Sequence, residues 1–314
     1  MADSDLSRNG PDAAPSRSAG IGYALSAYAL WGLLPLYIRA VHTVAPLELV
    51  SHRIVWAFSF LALVLVVTRR FEWLKTIQSR PRIIWSFLAS AAVLSANWFV
   101  YIWAADAGRV VDASLGYFIN PLLSVILAVL VLKERLRPLQ WTAIGVAALG
   151  VLWLTLLAGQ LPWIGLSLAI SFGCYGLLRK TAQLEALAGL TLETTLLLPA
   201  ASAYLIWVAP RDGSAWSTGS PELRALLVAA GPITAVPLLC FAAGARRIPL
   251  SLLGLLQYLG PSLQLLLGVA VFHEAFPFRK LVGFILIWLS LLLYTLEGWS
   301  VSRASAAAQR AQRT

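Results

Sequence analysis

Ionisable and amide side chains are scarce in the apolar parts of this chain, and those present fall into two groups. Glu48, His52 and Arg53 stand at the start of one hydrophobic run, with Glu48 and His52 one helical turn apart on a shared face. A carboxylate within reach of a histidine could carry a proton, and the guanidinium of Arg53 could hold the carboxylate of a solute. The alternative for the cluster is a set of interfacial charges that fixes the ends of helices. The second group is Asn97 with Trp98 and Tyr101, Tyr117 with Asn120, Gln257 with Tyr258, and Gln264. Pro121 follows Asn120, and Pro261 lies four residues after Gln257. Proline has no N–H and disfavours helical geometry in the residue before it, so helix breaks are expected at Pro121 and Pro261, with the carbonyls of Tyr117 and Gln257 left without helical partners. An acceptor beside an amide and a tyrosine, among aromatics, suits a small amphipathic ligand. The competing reading is that the prolines only kink helices while the amides tie helices together.

The medium follows from composition. The chain of 314 residues is 59% hydrophobic and 12% charged, with a mean hydropathy of +0.78, too little polar surface for a water-soluble globule. A bilayer core about 30 Å thick takes about 20 apolar residues per helix. Ten such segments are predicted, at 20–38, 47–67, 83–105, 111–131, 140–157, 162–178, 190–209, 224–245, 250–272 and 280–299. An amide in such a span costs several kcal/mol if it finds no partner, so these side chains must face one another, water or a solute. The segment before the first span has no apolar core of its own, so the first span itself is expected to direct insertion.

The net charge of +10 reads as an orientation signal and not as a nucleic-acid footprint. With the N-terminus inside, 17 of the 24 Lys and Arg residues fall on inside segments, among them Arg69, Arg70, Lys133, Arg135, Arg246 and Arg247. The positive-inside pattern puts both termini in the cytoplasm. Cys174 and Cys240 lie in different spans and are expected to be free packing residues.

The chain repeats itself. Ser-Leu-Gly-Tyr-Phe-Ile-Asn-Pro over 114–121 and Gly-Leu-Leu-Gln-Tyr-Leu-Gly-Pro over 254–261 are 140 residues apart, as are Glu134 and Glu274. Trp31 and Gly32 fall on Phe172 and Gly173 at an offset of 141, and Glu48 finds Glu193 at 145. Five spans per half is an odd number, so the halves must insert with opposite orientation. Such inverted repeats, interrupted at equivalent places, are the arrangement of alternating-access transporters with a site at the repeat interface. The expected organisation is a disordered cytoplasmic tail (1–19), a first five-helix repeat (20–157), a second (162–299) and a cytoplasmic tail (300–314).

His52-Arg53-Ile-Val-Trp, Asn97-Trp98, Tyr101 to Ala104, Ala113 to Pro121, Ser171 to Gly176 with Arg179-Lys180, Val236 to Phe241, and Gln257-Tyr258-Leu-Gly-Pro261 together resemble the RarD permeases, of the EamA group in the drug/metabolite transporter superfamily. The resemblance covers all ten spans. It implies an all-α inner-membrane permease with a central cavity lined by the first to fourth and sixth to ninth spans, the fifth and tenth lying outside.

The resulting expectation is a multi-pass permease that moves a small metabolite or drug-like solute, in the export direction, on a solute or ion gradient. No G-x-x-x-x-G-K-[ST] phosphate loop, H-E-x-x-H or Cys/His metal spacing occurs in the sequence, so no ATP-driven step, cofactor, metal site or catalytic residue is expected. The expected substrate-binding residues are Arg53, Asn97, Trp98, Tyr101, Tyr117, Asn120, Gln257 and Tyr258, with proton coupling at Glu48 and His52. The partners are the solute and the lipid bilayer, homodimerisation being left open. The rival classes are an intramembrane lipid-handling enzyme and a non-transporting membrane scaffold.

Overall fold

A computed structural model describes residues 17–106, 109–159, 163–211, 214–271, 273 and 278–311. The N-terminal tail up to Ser16 and the expected repeat-mate of Glu134, Glu274, lie outside the described residues. The elements in chain order are α1 (Arg17–Ala40), α2 (Pro46–Thr68), α3 (Trp73–Ser79), α4 (Ile83–Asp106), α5 (Val110–Leu130), α6 (Pro138–Ala158), α7 (Trp163–Thr181), α8 (Ala186–Val208), α9 (Ala215–Thr218), α10 (Pro221–Ala245), α11 (Leu250–Leu256), α12 (Leu259–Ala270) and α13 (Phe278–Ala311). Among the described residues, eight of the spans are long and apolar enough to cross a membrane, α11 and α12 counting together as Leu250–Ala270. The shorter apolar stretch of α5 (Gly116–Leu130) and the 19-residue α7 complete the ten. α3 and α9 are short helices in the connections.

Local chemistry sets the ends. Pro46, Pro138 and Pro221 occupy the first turn of α2, α6 and α10, where a missing N–H is harmless. α2 stops at Arg69 (φ 52°) and α6 at Gly159 (φ 72°), both left-handed. α13 passes the expected end of the tenth span and continues to Ala311.

The inverted duplication is visible in which helices touch. α1 packs on α10 as its repeat-mate α7 packs on α4, and α5 packs on α7 as α12 packs on α1. α2 packs on α8, α5 on α11 and α6 on α13, each helix against its own counterpart, as a two-fold axis in the membrane plane demands. α6 and α13 meet each other and little else. Their outer faces carry exposed Leu149, Leu152, Leu156, Leu289, Leu292 and Leu296. Close approach there depends on glycine, since a Cβ on Gly150 would come within 2.8 Å of the carbonyl oxygen of Gly283. The same device brings α11 against α5, where a Cβ on Gly254 would lie 2.9 Å from the carbonyl oxygen of Pro121.

The two prolines behave differently from each other. α5 runs through Pro121 without interruption, so the break expected there is not present in the backbone. The second half is interrupted, but ahead of Pro261, at Gln257 and Tyr258 between α11 and α12. The chain tightens there to three-residue hydrogen bonds: Gln257 N–H to Gly254 O (3.1 Å), Tyr258 N–H to Leu255 O (3.1 Å) and Gly260 N–H to Gln257 O (3.0 Å). The Gln257 carbonyl, expected to be free, is therefore occupied: Gly260 supplies the N–H that Pro261 lacks.

Candidate functional site

The cavity between the two halves has a volume of about 150 Å³. α1 contributes Tyr28, Trp31, Leu34 and Ile38, α2 contributes Arg53, and α4 contributes Leu94, Asn97, Trp98 and Tyr101. Tyr117 and Asn120 enter from α5, Phe172 from α7, and Gln257, Pro261 and Gln264 from the interrupted α11–α12 segment. Seven of the eight residues expected to touch a solute line this one space. The eighth, Tyr258, does not: it is fully buried, and its hydroxyl donates to the carbonyl oxygen of Phe118 at 3.2 Å.

The amides divide by their partners. Asn97 Nδ2 donates to the Leu168 carbonyl (3.0 Å) and to Ser171 Oγ (2.8 Å), and Gln264 Nε2 donates to the Trp31 carbonyl (3.2 Å). These two tie α4 to α7 and α12 to α1. Asn120 and Gln257 make no side-chain hydrogen bond among the described residues, although they are only 4% and 8% exposed. Asn120 Oδ1 is a buried acceptor without a donor. Native interiors rarely leave such groups unmet.

Among the described residues, Arg53 is the only charged one lining the cavity. Its Nε donates to Thr234 Oγ1 on α10 at 2.9 Å, and its guanidinium lies 5.2 Å from the centre of the Trp98 ring. Both contacts fix the plane of the head group. Neither Nη atom makes a hydrogen bond or ion pair among the described residues.

The cavity has a mouth and a floor. Tyr101 and Tyr117 keep 36% and 38% of their surface accessible, at the end of the bundle away from the chain termini. Below, Tyr28, Trp31, Phe172, Tyr175 and Phe241 form a layer of rings with centroids 5.3–6.3 Å apart. Tyr28 is held there by a 2.9 Å hydrogen bond to the Leu253 carbonyl. Under the rings, Glu193 accepts from Ser90 Oγ (2.5 Å), Tyr175 Oη (3.3 Å) and Arg179 Nη1 (3.3 Å), joining α4, α7 and α8. Nearer the termini, Glu134 accepts from Leu250 N–H (2.7 Å), Ser251 N–H (3.2 Å) and Ser251 Oγ (2.7 Å), capping α11. A carboxylate at a helix N-terminus meets both unsatisfied N–H groups and the dipole. The ring layer and the two satisfied carboxylates thus lie on the side of the termini, and the partly exposed Tyr101 and Tyr117 on the other.

Glu48 and His52 sit elsewhere. Glu48 Oε1 accepts from Ser214 Oγ (3.1 Å) and Ala215 N–H (2.9 Å), holding the α9 connection against α2. His52 Nε2 is 3.9 Å from that oxygen, and neither ring nitrogen makes a hydrogen bond. Both residues line a groove beside Trp56, Leu205 and Trp216, separate from the central cavity.

Sequence reasoning missed the ring layer, the Arg179–Glu193 pair and the cap by Glu134. The pairing of Trp31 with Phe172 at the repeat offset was a signal for the first, because each half lends one of these rings to the cavity. The cap had only the repeated glutamate position as a pointer.

Known proteins place this geometry in context. Residues 18–156 match the model of the EamA-like transporter family. An uncharacterized transporter of Vibrio cholerae is 45% identical over 293 residues, covering 93% of this chain and 96% of that protein. Protein RarD of Escherichia coli is 40% identical over 287 residues, covering 91% of this chain and 97% of that protein. A protein of known crystal structure superposes with a TM-score of 0.71 over 90% of this chain and 99% of its own, at 21% identity, a likeness of fold alone.

Proposed function

The chain belongs to the EamA-like transporter family, with RarD proteins among its relatives, and from that premise we propose that it carries a small amphipathic solute across the bacterial inner membrane by alternating access. The carrying observation is the pair Asn120 and Gln257, one from each half, both without side-chain hydrogen-bond partners among the described residues and both lining the cavity between the halves. In the proposed cycle the two five-helix halves rock about the solute, opening the floor of rings as the mouth by Tyr101 and Tyr117 closes. The lining offers hydrogen-bonding groups and aromatic faces, the chemistry that orients a small amphipathic solute. Both termini are assigned to the cytoplasm, and export is the proposed direction.

A pooled set of labelled small solutes in counterflow, with the purified protein in liposomes, tests the reading. Accumulation that depends on the protein and falls in N120A and Q257A is expected. Binding without flux for every solute that stabilises the protein would make it a membrane scaffold. Transport is proposed to follow a solute or ion gradient, with protons and the Glu48–His52 pair as the ion-coupled form. Unchanged transport after collapse of the proton gradient, at a fixed solute gradient, removes that form.

A further inference from the structure

We propose that the cavity is built for an organic monoanion, with its carboxylate on Arg53 and its flat apolar body between Trp98, Trp31 and Phe172. This rests on the reading of the cavity as a solute site. Arg53 is a permanent cation in a space inside the apolar bundle, and burying an unpaired charge is expensive. Among the described residues the lining of this space holds no Asp or Glu, and its other ionisable side chains are Tyr28, Tyr101 and Tyr117. Glu193, which lines a small neighbouring pocket together with Arg53, is already satisfied by Ser90, Tyr175 and Arg179.

The guanidinium is also aimed. With Nε tied to Thr234 and the ring of Trp98 beside its plane, the edge that carries both Nη groups is what remains for a ligand. Two parallel N–H groups on a rigid fork match the two oxygens of a carboxylate. Asn120 Oδ1, without a donor, asks for an N–H or O–H from the occupant, and Gln257 can give or take a hydrogen bond. A cationic solute would meet Arg53 and, among the described residues of the lining, no compensating acid. A neutral one would leave Arg53 unpaired.

The test compares matched acids and amides of the same body: 3-phenylpropionate and indole-3-acetate against 3-phenylpropionamide and indole-3-acetamide. The purified wild-type protein in nanodiscs is titrated with each, following its thermal midpoint, which a ligand of the folded state raises. Half-saturation by the acids at concentrations about tenfold or more below the amides is expected, as a charge-assisted pair is stronger than a neutral one. In R53Q the acids should lose that advantage while amide binding is kept. If R53Q fails to insert, R53K retains the charge without the fork and should weaken the acids alone. Equal binding of acids and amides to the wild type overturns the proposal, as does an acid preference that survives R53Q, or no stabilisation by any acid. Counterflow separates this from the transport reading. Amides that move as well as acids leave a carrier without anion selectivity, whereas acids that bind and never move leave an anion site in a protein that is not a carrier.

Discussion

The hydroxyl of Tyr258 donates to the carbonyl oxygen of Phe118 at 3.2 Å, and the two residues are repeat-mates, 140 positions apart. The bond therefore ties the interrupted helix of one half to the equivalent turn of its uninterrupted counterpart. Tyr258→Phe should lower stability by about 0.5–1.5 kcal/mol through the lost bond, with affinity for a cavity ligand nearly unchanged. Thermal unfolding of the purified protein with and without ligand separates the two quantities. A large fall in affinity at unchanged stability would place Tyr258 in the site.

Asn120 and Gln257 should behave in the opposite way. Since neither amide bonds to protein among the described residues, N120A and Q257A remove nothing the empty fold uses, and the thermal midpoint without ligand should hold. Each should weaken solute binding by about 1–3 kcal/mol. The double variant should lose less or more than the sum, because both groups would touch one ligand. Thr155→Ala on α6, whose hydroxyl bonds to the Val151 carbonyl of its own helix, is the control. An amide variant that binds as tightly as wild type takes that residue out of the site.

The contrast between the two prolines shows how far the sequence could be read. The span pattern, the inverted duplication and the gathering of Arg53, Asn97, Trp98, Tyr101, Tyr117, Asn120 and Gln257 were legible, because apolar length and repeated spacing are one-dimensional properties. The break was not placed correctly, because a proline removes one hydrogen bond and the backbone on either side decides how to absorb it. α5 does so within a continuous helix, and the second half does so by tightening at Gln257 and Tyr258. Tyr258 was assigned to the cavity because it neighbours Gln257, yet adjacent helical residues point about 100° apart. Which amides are tied and which are free is likewise a property of three-dimensional contacts. Asn97 and Asn120 look alike in sequence, and only Asn97 has Leu168 and Ser171 opposite it.

Glu134 should govern closure on the side of the termini. Its three hydrogen bonds cap α11 from the connection that follows α5, so E134A leaves two N–H groups of α11 and the Ser251 hydroxyl without their acceptor. The closed arrangement should be disfavoured by about 1–3 kcal/mol. A cysteine at Leu253, otherwise 1% exposed beneath the ring layer, should then label faster from the side of the termini. Equal labelling rates in wild type and E134A would reduce the cap to a local detail.

Orientation is tested at the α9 connection, where Ser217 is exposed. If both termini are cytoplasmic, a Cys-free version carrying S217C should react with an impermeant maleimide in intact cells. Reaction only after the membrane is permeabilised would reverse the proposed orientation, and with it the side to which the cavity opens.

Arg179 and Glu193 form the last test, because they separate structural charge from functional charge. Each is 1% exposed, and they meet at 3.3 Å under the ring layer, with Glu193 also accepting from Ser90 and Tyr175. The pair has what Arg53 lacks among the described residues, a partner of opposite charge. Removing one member strands a charge in a low-dielectric interior, so R179M or E193Q should destabilise the protein by about 3–5 kcal/mol, whereas R179M/E193Q together should recover part of that loss. R53Q should show the reverse pattern: with no ion-pair partner among the described residues to strand, it gives up only the Thr234 hydrogen bond and the Trp98 contact, costs about 1 kcal/mol of stability and acts mainly on ligand selection. The readouts are the thermal midpoint and the yield of inserted protein, measured for all four variants in one detergent. If R53Q proves as destabilising as E193Q, Arg53 is a structural cation and the division drawn between the two arginines fails.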